Sequence, residues 1–278
     1  MTAIIFGTLS ALIWGACDFA GGIASRRTGP YRAVFYGETF GLLLLCITTT
    51  FFHERPISWD ELVLSITAGI CGGFGALILY TAMGRGQMSI AAPVSALFAA
   101  ILPVAVGVAM EGLPSPVKLT GFVVALFAIW MVAQNKGQKS QRSRLSNLQM
   151  PLISGLCFGV YFILLHQATH ETMLWPLIIS RFTGMLLVIV FMLAHGQSWQ
   201  VSRSIWPFII VNGALDIGGN VFYILAGQNG RLDVAAVLSS LYPGITVLLA
   251  WLILKEEISN LQKFGIFTAL IAIILMTL

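Results

Sequence analysis

The sequence predicts an all-α integral membrane protein, with ten transmembrane helices arranged as two inverted five-helix repeats. Three observations lead there. Of 278 residues, 58% are hydrophobic and 9% are charged, where a soluble domain carries about a quarter charged residues. The mean hydropathy is +0.90, and apolar stretches recur at roughly the 20 residues that a hydrocarbon core of about 30 Å requires. The second half of the chain also echoes the first at an offset of about 144 residues.

The first element, "MTAIIFGTLSALIWGACDFAGG", has a long apolar run and no basic segment before it. It reads as a first membrane helix over 3–24, not as a cleaved leader. Further spans are expected over 32–52, 61–84, 88–110, 117–134, 149–168, 174–194, 204–227, 232–254 and 261–278. Pro93, Pro103 and Pro243 fall inside the fourth and ninth spans and should bend them. "GETFG" in the second span and "GICGGFG" in the third offer the small residues that let membrane helices approach closely. The long connection, "QNKGQKSQRSRLSNLQ", is polar and basic. It divides the chain into a first repeat over 1–133, a linker over 134–148 and a second repeat over 149–278.

Slid back by 144 residues, Ser154, Phe158 and Gly159 fall on Ser10, Trp14 and Gly15, and Ser239, Tyr242 and Gly265 fall on Ser95, Phe98 and Gly121. Tyr223 and Gly227 fall on Tyr80 and Gly84 at an offset of 143. Five is an odd number of crossings, so a second copy of a five-span unit must sit upside down.

Charge sets the expected orientation. Eleven of the 15 Lys and Arg residues lie in or beside odd-numbered connections (Arg26, Arg27, Arg32, Arg85, Lys136, Lys139, Arg142, Arg144, Arg203, Lys255, Lys263). Three lie in even ones (Arg55, Lys118, Arg231), and Arg181 is inside a helix. The odd connections should therefore be cytoplasmic and both termini outside. The net charge of +4 belongs to these loops and carries no implication of nucleic acid as a partner. The four cysteines sit in apolar runs without a C-x-x-C pair and read as small buried hydrophobes.

Polar residues inside the spans carry the functional reading. Asn212, Asp216, Asn220 and Tyr223 fall within an arc of about 80° on one helix. A carboxylate facing lipid at that depth costs about 2.5–3.5 kcal/mol on insertion scales, so this stripe should face protein or a wet cavity. Ser10, Trp14, Asp18 and Gly22 share a face of the first span. Ser154, Phe158, Phe162 and His166 take the matching places in the sixth. His166, near a helix end, reads as interfacial. Asp18 lies toward "SRRTGPYR", where an ion pair with an arginine competes with a role in a cavity. Asp216 has no charged neighbour in sequence. Glu38 and Arg181, placed at mirror depths about four residues from their helix centres, should lie roughly 12 Å apart in depth and out of contact.

The "LIWGA" and "CFGVY" elements, the endings "MEGLPSPVKLTG" and "KEEISNLQKFG", and the whole-length repeat resemble the drug/metabolite transporter superfamily, EamA type. The residues that carry the resemblance are Trp14, Phe158, Glu111, Glu257, Gly121 and Gly265. Glu38 departs from the pattern, which places an Arg there, as Arg181 does in the second half. Within the family the chain is most similar to bacterial exporters of aromatic amino acids.

The resemblance implies a secondary transporter in a bacterial-type inner (plasma) membrane, exporting small amphiphilic metabolites, above all aromatic amino acids, by alternating access. The expected substrate-binding residues are Trp14, Asp18, Tyr80, Ser95, Phe98, Phe158, Phe162, Asp216, Asn220, Tyr223, Ser239 and Tyr242. Asp216, Asp18 and Glu38 are candidates for ion coupling. The expected partners are a small-molecule substrate and the lipid bilayer, with no nucleic acid, no cofactor, no metal and a monomer rather than a dimer. No H-E-x-x-H, G-x-S-x-G or P-loop pattern is present, so neither an enzyme nor an ATP-driven pump is expected. Two alternatives stay open: a channel-like facilitator, and an intramembrane aspartyl protease using Asp18 and Asp216.

Overall fold

A computed structural model of the chain describes residues 1–52, 54–133, 141–255 and 259–277. Among the described residues the regular structure is all helical. In chain order the helices are α1 (Thr2–Thr28), α2 (Pro30–Thr49), α3 (Trp59–Ala82), α4 (Met88–Glu111), α5 (Pro116–Ala133), α6 (Gln141–Ala168), α7 (Leu174–Ala194), α8 (Trp206–Gln228), α9 (Leu232–Ser239), α10 (Tyr242–Leu254) and α11 (Asn260–Thr277). A π-helical turn, Met83–Gln87, links α3 to α4. Among the described residues, eight helical segments are long and apolar enough to cross a membrane; Pro116–Val132 and Asn260–Met276 are shorter apolar helices.

Local chemistry explains the boundaries. Gly29, at φ 90° and ψ 152°, separates α1 from α2. Only glycine adopts that backbone without strain, and Pro30 then opens α2 with its φ already helical. Ser58 and Glu61 form a reciprocal capping box on α3.

Two boundaries depart from the sequence expectation. The ninth span, expected as one bent helix over 232–254, is broken into α9 and α10 at Ser240 and Leu241. Pro243 supplies no N–H and disfavours helical geometry in the residue before it, so it is accommodated in the first turn of a new helix. Pro93 and Pro103 lie inside α4 without ending it. Helix α6 begins at Gln141, inside the segment expected as linker; "QRSRLSNLQM" is polar but holds neither Gly nor Pro to break a helix. The remainder of that linker, 134–140, and Glu257 lie outside the described residues.

The molecule is inside-out relative to a soluble protein. Val190 is 63% exposed and Phe267 59%, whereas Glu38 is 7% exposed, Arg181 8% and Asn220 1%. Apolar side chains face outward because lipid is their solvent, and polar groups are collected between helices.

Helices from the two halves pack on one another in matching ways. Helix α1 packs on α8, and α6 on α3. Helix α2 runs antiparallel to α7: Tyr31 meets His195 with ring centroids 5.6 Å apart, while Glu38 meets Arg181. Helix α5 is likewise antiparallel to α11. A methyl group at Gly121 would come within 2.9 Å of Met276 Cγ, and one at Gly265 within 3.0 Å of Met131 Cβ. Glycine also permits the closest crossings. At the α3–α7 crossing, an added Cβ on Gly73 would lie 2.8 Å from Gly184 Cα, and at the α2–α8 crossing one on Gly213 would lie 3.2 Å from Gly41 N.

Candidate functional site

Helices α1, α2, α3, α6, α7 and α8 surround a central space, with Ala99 of α4 and Tyr242 of α10 closing it. Its empty volume, open solvent at the mouth included, is about 840 Å³. Small residues create the room: Gly37 on α2 and Gly69, Gly72, Gly73 and Ala76 on α3 present no bulky side chain to it. The opposite wall, on α8, carries Asn212, Asp216 and Asn220.

The α8 stripe is satisfied by partners on other helices. Asn212 Nδ2 donates to the Tyr80 hydroxyl at 2.7 Å and to the Cys17 carbonyl at 3.1 Å. Asn220 Oδ1 accepts from the Tyr161 hydroxyl at 2.6 Å, and its Nδ2 donates to the Asp216 carbonyl at 2.7 Å. The Tyr223 hydroxyl donates to the Phe162 carbonyl at 3.3 Å. These bonds fix both amides, because a buried donor or acceptor left unmade costs about 1–3 kcal/mol.

Charge is concentrated at Arg181. Its Nη1 is 3.0 Å from both Glu38 carboxylate oxygens and 2.5 Å from Asp216 Oδ2. This corrects the expectation that Glu38 and Arg181 stay apart. Helix α2 starts at Pro30 and ends at Thr49, which moves its centre toward Glu38. The depth gap then falls to roughly 7 Å, a distance that a Glu and an Arg side chain reaching toward each other can span.

Asp18 and Asp216 exchange the surroundings expected of them. Asp216, without a charged neighbour in sequence, is paired to Arg181 across the molecule. Asp18, close in sequence to three arginines, makes no hydrogen bond and no salt bridge with any described residue. It lines the central space instead. The guanidinium of Arg27 lies 5.9 Å from the centre of the Phe208 ring.

Aromatic rings form the rest of the wall. Trp14 stacks on Phe162 at 5.2 Å between centroids, and Phe162 on Phe158 at 6.3 Å. Tyr223 supports this layer from behind, 5.8 Å from Trp14 and 4.8 Å from Phe162.

Of the twelve binding residues named from the sequence, eight line the space: Trp14, Asp18, Tyr80, Phe158, Phe162, Asp216, Asn220 and Tyr242. Glu38, named for coupling, lines it too. The other four are not among the lining residues. Tyr223 is 1% exposed behind the aromatic wall. Ser95 bonds to Ser154, which donates to the Gly75 carbonyl at 2.8 Å. Phe98 packs at Gly155. Ser239 is buried at the end of α9, its hydroxyl without a partner among the described residues.

Sequence reasoning missed Arg181 and Tyr161 as lining residues. An arginine inside "LIISRFTGML" was itself a signal, since a charge in a membrane helix requires partners or water. Tyr161 lies three residues past Phe158, on the same helix face.

The even connections are tied across the two halves at one end of the molecule. Glu54 accepts from the backbone N–H of Met173, Leu174 and Trp175, capping α7. Arg55 bridges Glu61 and Glu171, both at less than 3 Å. Arg231 donates to the carbonyls of Glu111 and Gly112, at 3.2 and 2.6 Å, while pairing with Asp233 at 2.7 Å.

Comparison with known proteins agrees with this architecture. An uncharacterized protein of Methanocaldococcus jannaschii is 26% identical over 127 residues, which cover 46% of this chain and 93% of that protein. A crystal structure with 16% sequence identity superposes with a TM-score of 0.74, covering 99% of this chain and 96% of that one, and so shares its fold. The EamA-like transporter family matches residues 1–134 and 146–278. The chain is therefore a multi-pass membrane protein that belongs to the EamA-like transporter family of the drug/metabolite transporter superfamily.

Proposed function

We propose that the chain is a secondary carrier exporting small amphiphilic metabolites, whose central space holds the solute and opens alternately to each side. The observation that carries this reading is the meeting of Glu38 with Arg181 across the cavity floor. The two residues are 143 apart, the offset of the internal repeat. Positions that match in two copies can touch only near the axis relating them. The helices bearing them run antiparallel, as do α5 and α11, which is the relation expected of inverted repeats. The archaeal relative, spanned almost entirely by less than half of this chain, fits a five-helix unit.

Two half-shells around a partly polar cavity can rock about that axis. The even-face ties at Glu54 and Arg231 then belong to a closed side. On the positive-inside bias we read that face as the outward one, and a bacterial-type inner membrane as the setting that the sequence resemblance implies. A monomer suffices, because the cavity is enclosed by one chain. Aromatic amino acids, implied by the sequence resemblance, would lay their rings on Trp14, Phe158 and Phe162.

The aspartyl-protease alternative requires two carboxylates sharing a proton. Asp216 is committed to Arg181 and Asp18 makes no hydrogen bond to it, so the geometry does not favour that chemistry. A channel-like facilitator is separated by kinetics. In proteoliposomes loaded with one unlabelled aromatic solute and given labelled solute outside, a carrier gives a transient overshoot of label in the lumen. Flux that neither saturates nor overshoots, across a panel of amphiphiles, would remove the carrier reading.

A further inference from the structure

We infer that the cavity selects solutes bearing an organic ammonium group, with Asp18 as the docking carboxylate and the Trp14 layer as the surface beside it. The inference rests on the reading of the central space as the solute site.

Formal charge gives the argument its first part. Four ionisable residues other than Tyr line the space: Asp18, Glu38, Arg181 and Asp216. Glu38 and Asp216 both engage Nη1 of the one guanidinium. Asp18 has no partner among the described residues and shares the cavity with a second carboxylate, Asp216. The ionised cavity is therefore short of positive charge. An uncompensated carboxylate in a membrane interior is costly, and a cationic solute group would remove that cost.

Arg181 gives the second part. It is the cation to which a solute carboxylate would turn, and it is already held by two protein carboxylates. At Nη1 an anionic solute competes with Glu38 and Asp216, whereas an ammonium displaces nothing at Asp18.

The ring geometry gives the third part. Trp14 lies four residues before Asp18 on α1, so both project from one helix face into the same space. The stacked Trp14, Phe162 and Phe158 rings line the same space. A flat apolar group carried on a short amine could rest on these rings with its nitrogen at Asp18, and the aromatic faces attract the cation as well.

The test is equilibrium binding to the purified full chain in lipid nanodiscs. The probes share a ring and differ in charge: phenethylamine, phenylalanine, phenylacetate and the neutral 2-phenylethanol. Phenethylamine should bind about 10- to 100-fold more tightly than phenylacetate, the range expected for one charge-assisted contact, with phenylalanine between them. Asp18→Asn should abolish that preference while leaving 2-phenylethanol binding and the thermal unfolding profile unchanged. Phenylacetate binding as tightly as phenethylamine would overturn the inference, as would an unchanged amine preference in Asp18→Asn, or no binding of any probe at millimolar concentration. Amine binding without overshoot in proteoliposomes would instead count against the carrier reading and leave the Asp18 subsite standing.

Discussion

Arg181 Nη1 lies 3.0 Å from Glu38, although the two residues are 143 positions apart and occupy matching places in the two halves of the chain. One guanidinium thus joins α7 to α2, with Asp216 of α8 as its second anion. The arrangement is asymmetric in chemistry, one anion against one cation, where the repeat itself would give like residues. That asymmetry turns two charges that would repel into a pair that attracts.

Removing the cation should therefore be more damaging than removing the whole cluster. Arg181→Met leaves Glu38 buried and Asp216 half-buried, both uncompensated, and we expect a loss of about 3–5 kcal/mol of stability. Combining it with Glu38→Gln and Asp216→Asn should restore most of that loss. Thermal unfolding of both variants in nanodiscs checks the order; a triple variant less stable than Arg181→Met would refute it.

The glycine crossings make a steric prediction. Gly73→Val places atoms against the Gly184 backbone, which cannot give way without parting α3 from α7. We expect this variant to aggregate on detergent extraction. Gly218→Ala, whose nearest neighbour outside α8 would be Ile13 at 3.5 Å, should behave as the parent does by size-exclusion chromatography.

The aromatic layer makes a binding prediction. Trp14→Ala removes the ring that stacks on Phe162 and rests against Tyr223. Affinity for a flat aromatic probe should fall by about tenfold or more, the scale of one aromatic contact. Titration of 2-phenylethanol measures this without any charge effect, and an unchanged affinity would place the solute elsewhere.

The even-face ties make a conformational prediction. Arg231 holds the carbonyls of Glu111 and Gly112 from the other half. Arg231→Ala should shift the population toward opening on that face. Spin labels at Leu113 and Asn229, both exposed, should show a longer distance component in the variant than in the parent. Identical distributions would mean that these bonds do not hold the face shut.

The sequence located most of the helices within a few residues, because length and hydropathy are local properties that the bilayer dictates. It also showed which faces are polar: the α8 stripe turns inward, as the cost of exposing Asp216 to lipid requires. It could not reveal partners. Periodicity gives an angle around a helix but no depth, and a three-residue error in the end of α2 was enough to separate Glu38 from Arg181 on paper. Nor could it separate a ring that lines the cavity, as Tyr161 does, from one that packs behind the wall, as Tyr223 does. Asp18 and Asp216 show the same limit: neighbours in sequence said nothing of neighbours across the chain.

Alternating access itself is tested most directly by measuring distances at both ends of the molecule in one preparation. The first label pair is Leu113 and Asn229 on the even connections. The second is Arg27 and Ser204 on the odd ones. Double electron–electron resonance, with and without a saturating aromatic amine, should show the two distances shifting in opposite directions, one opening as the other closes. Distances that stay fixed at both ends, or that lengthen together, would contradict a carrier built from two rocking halves.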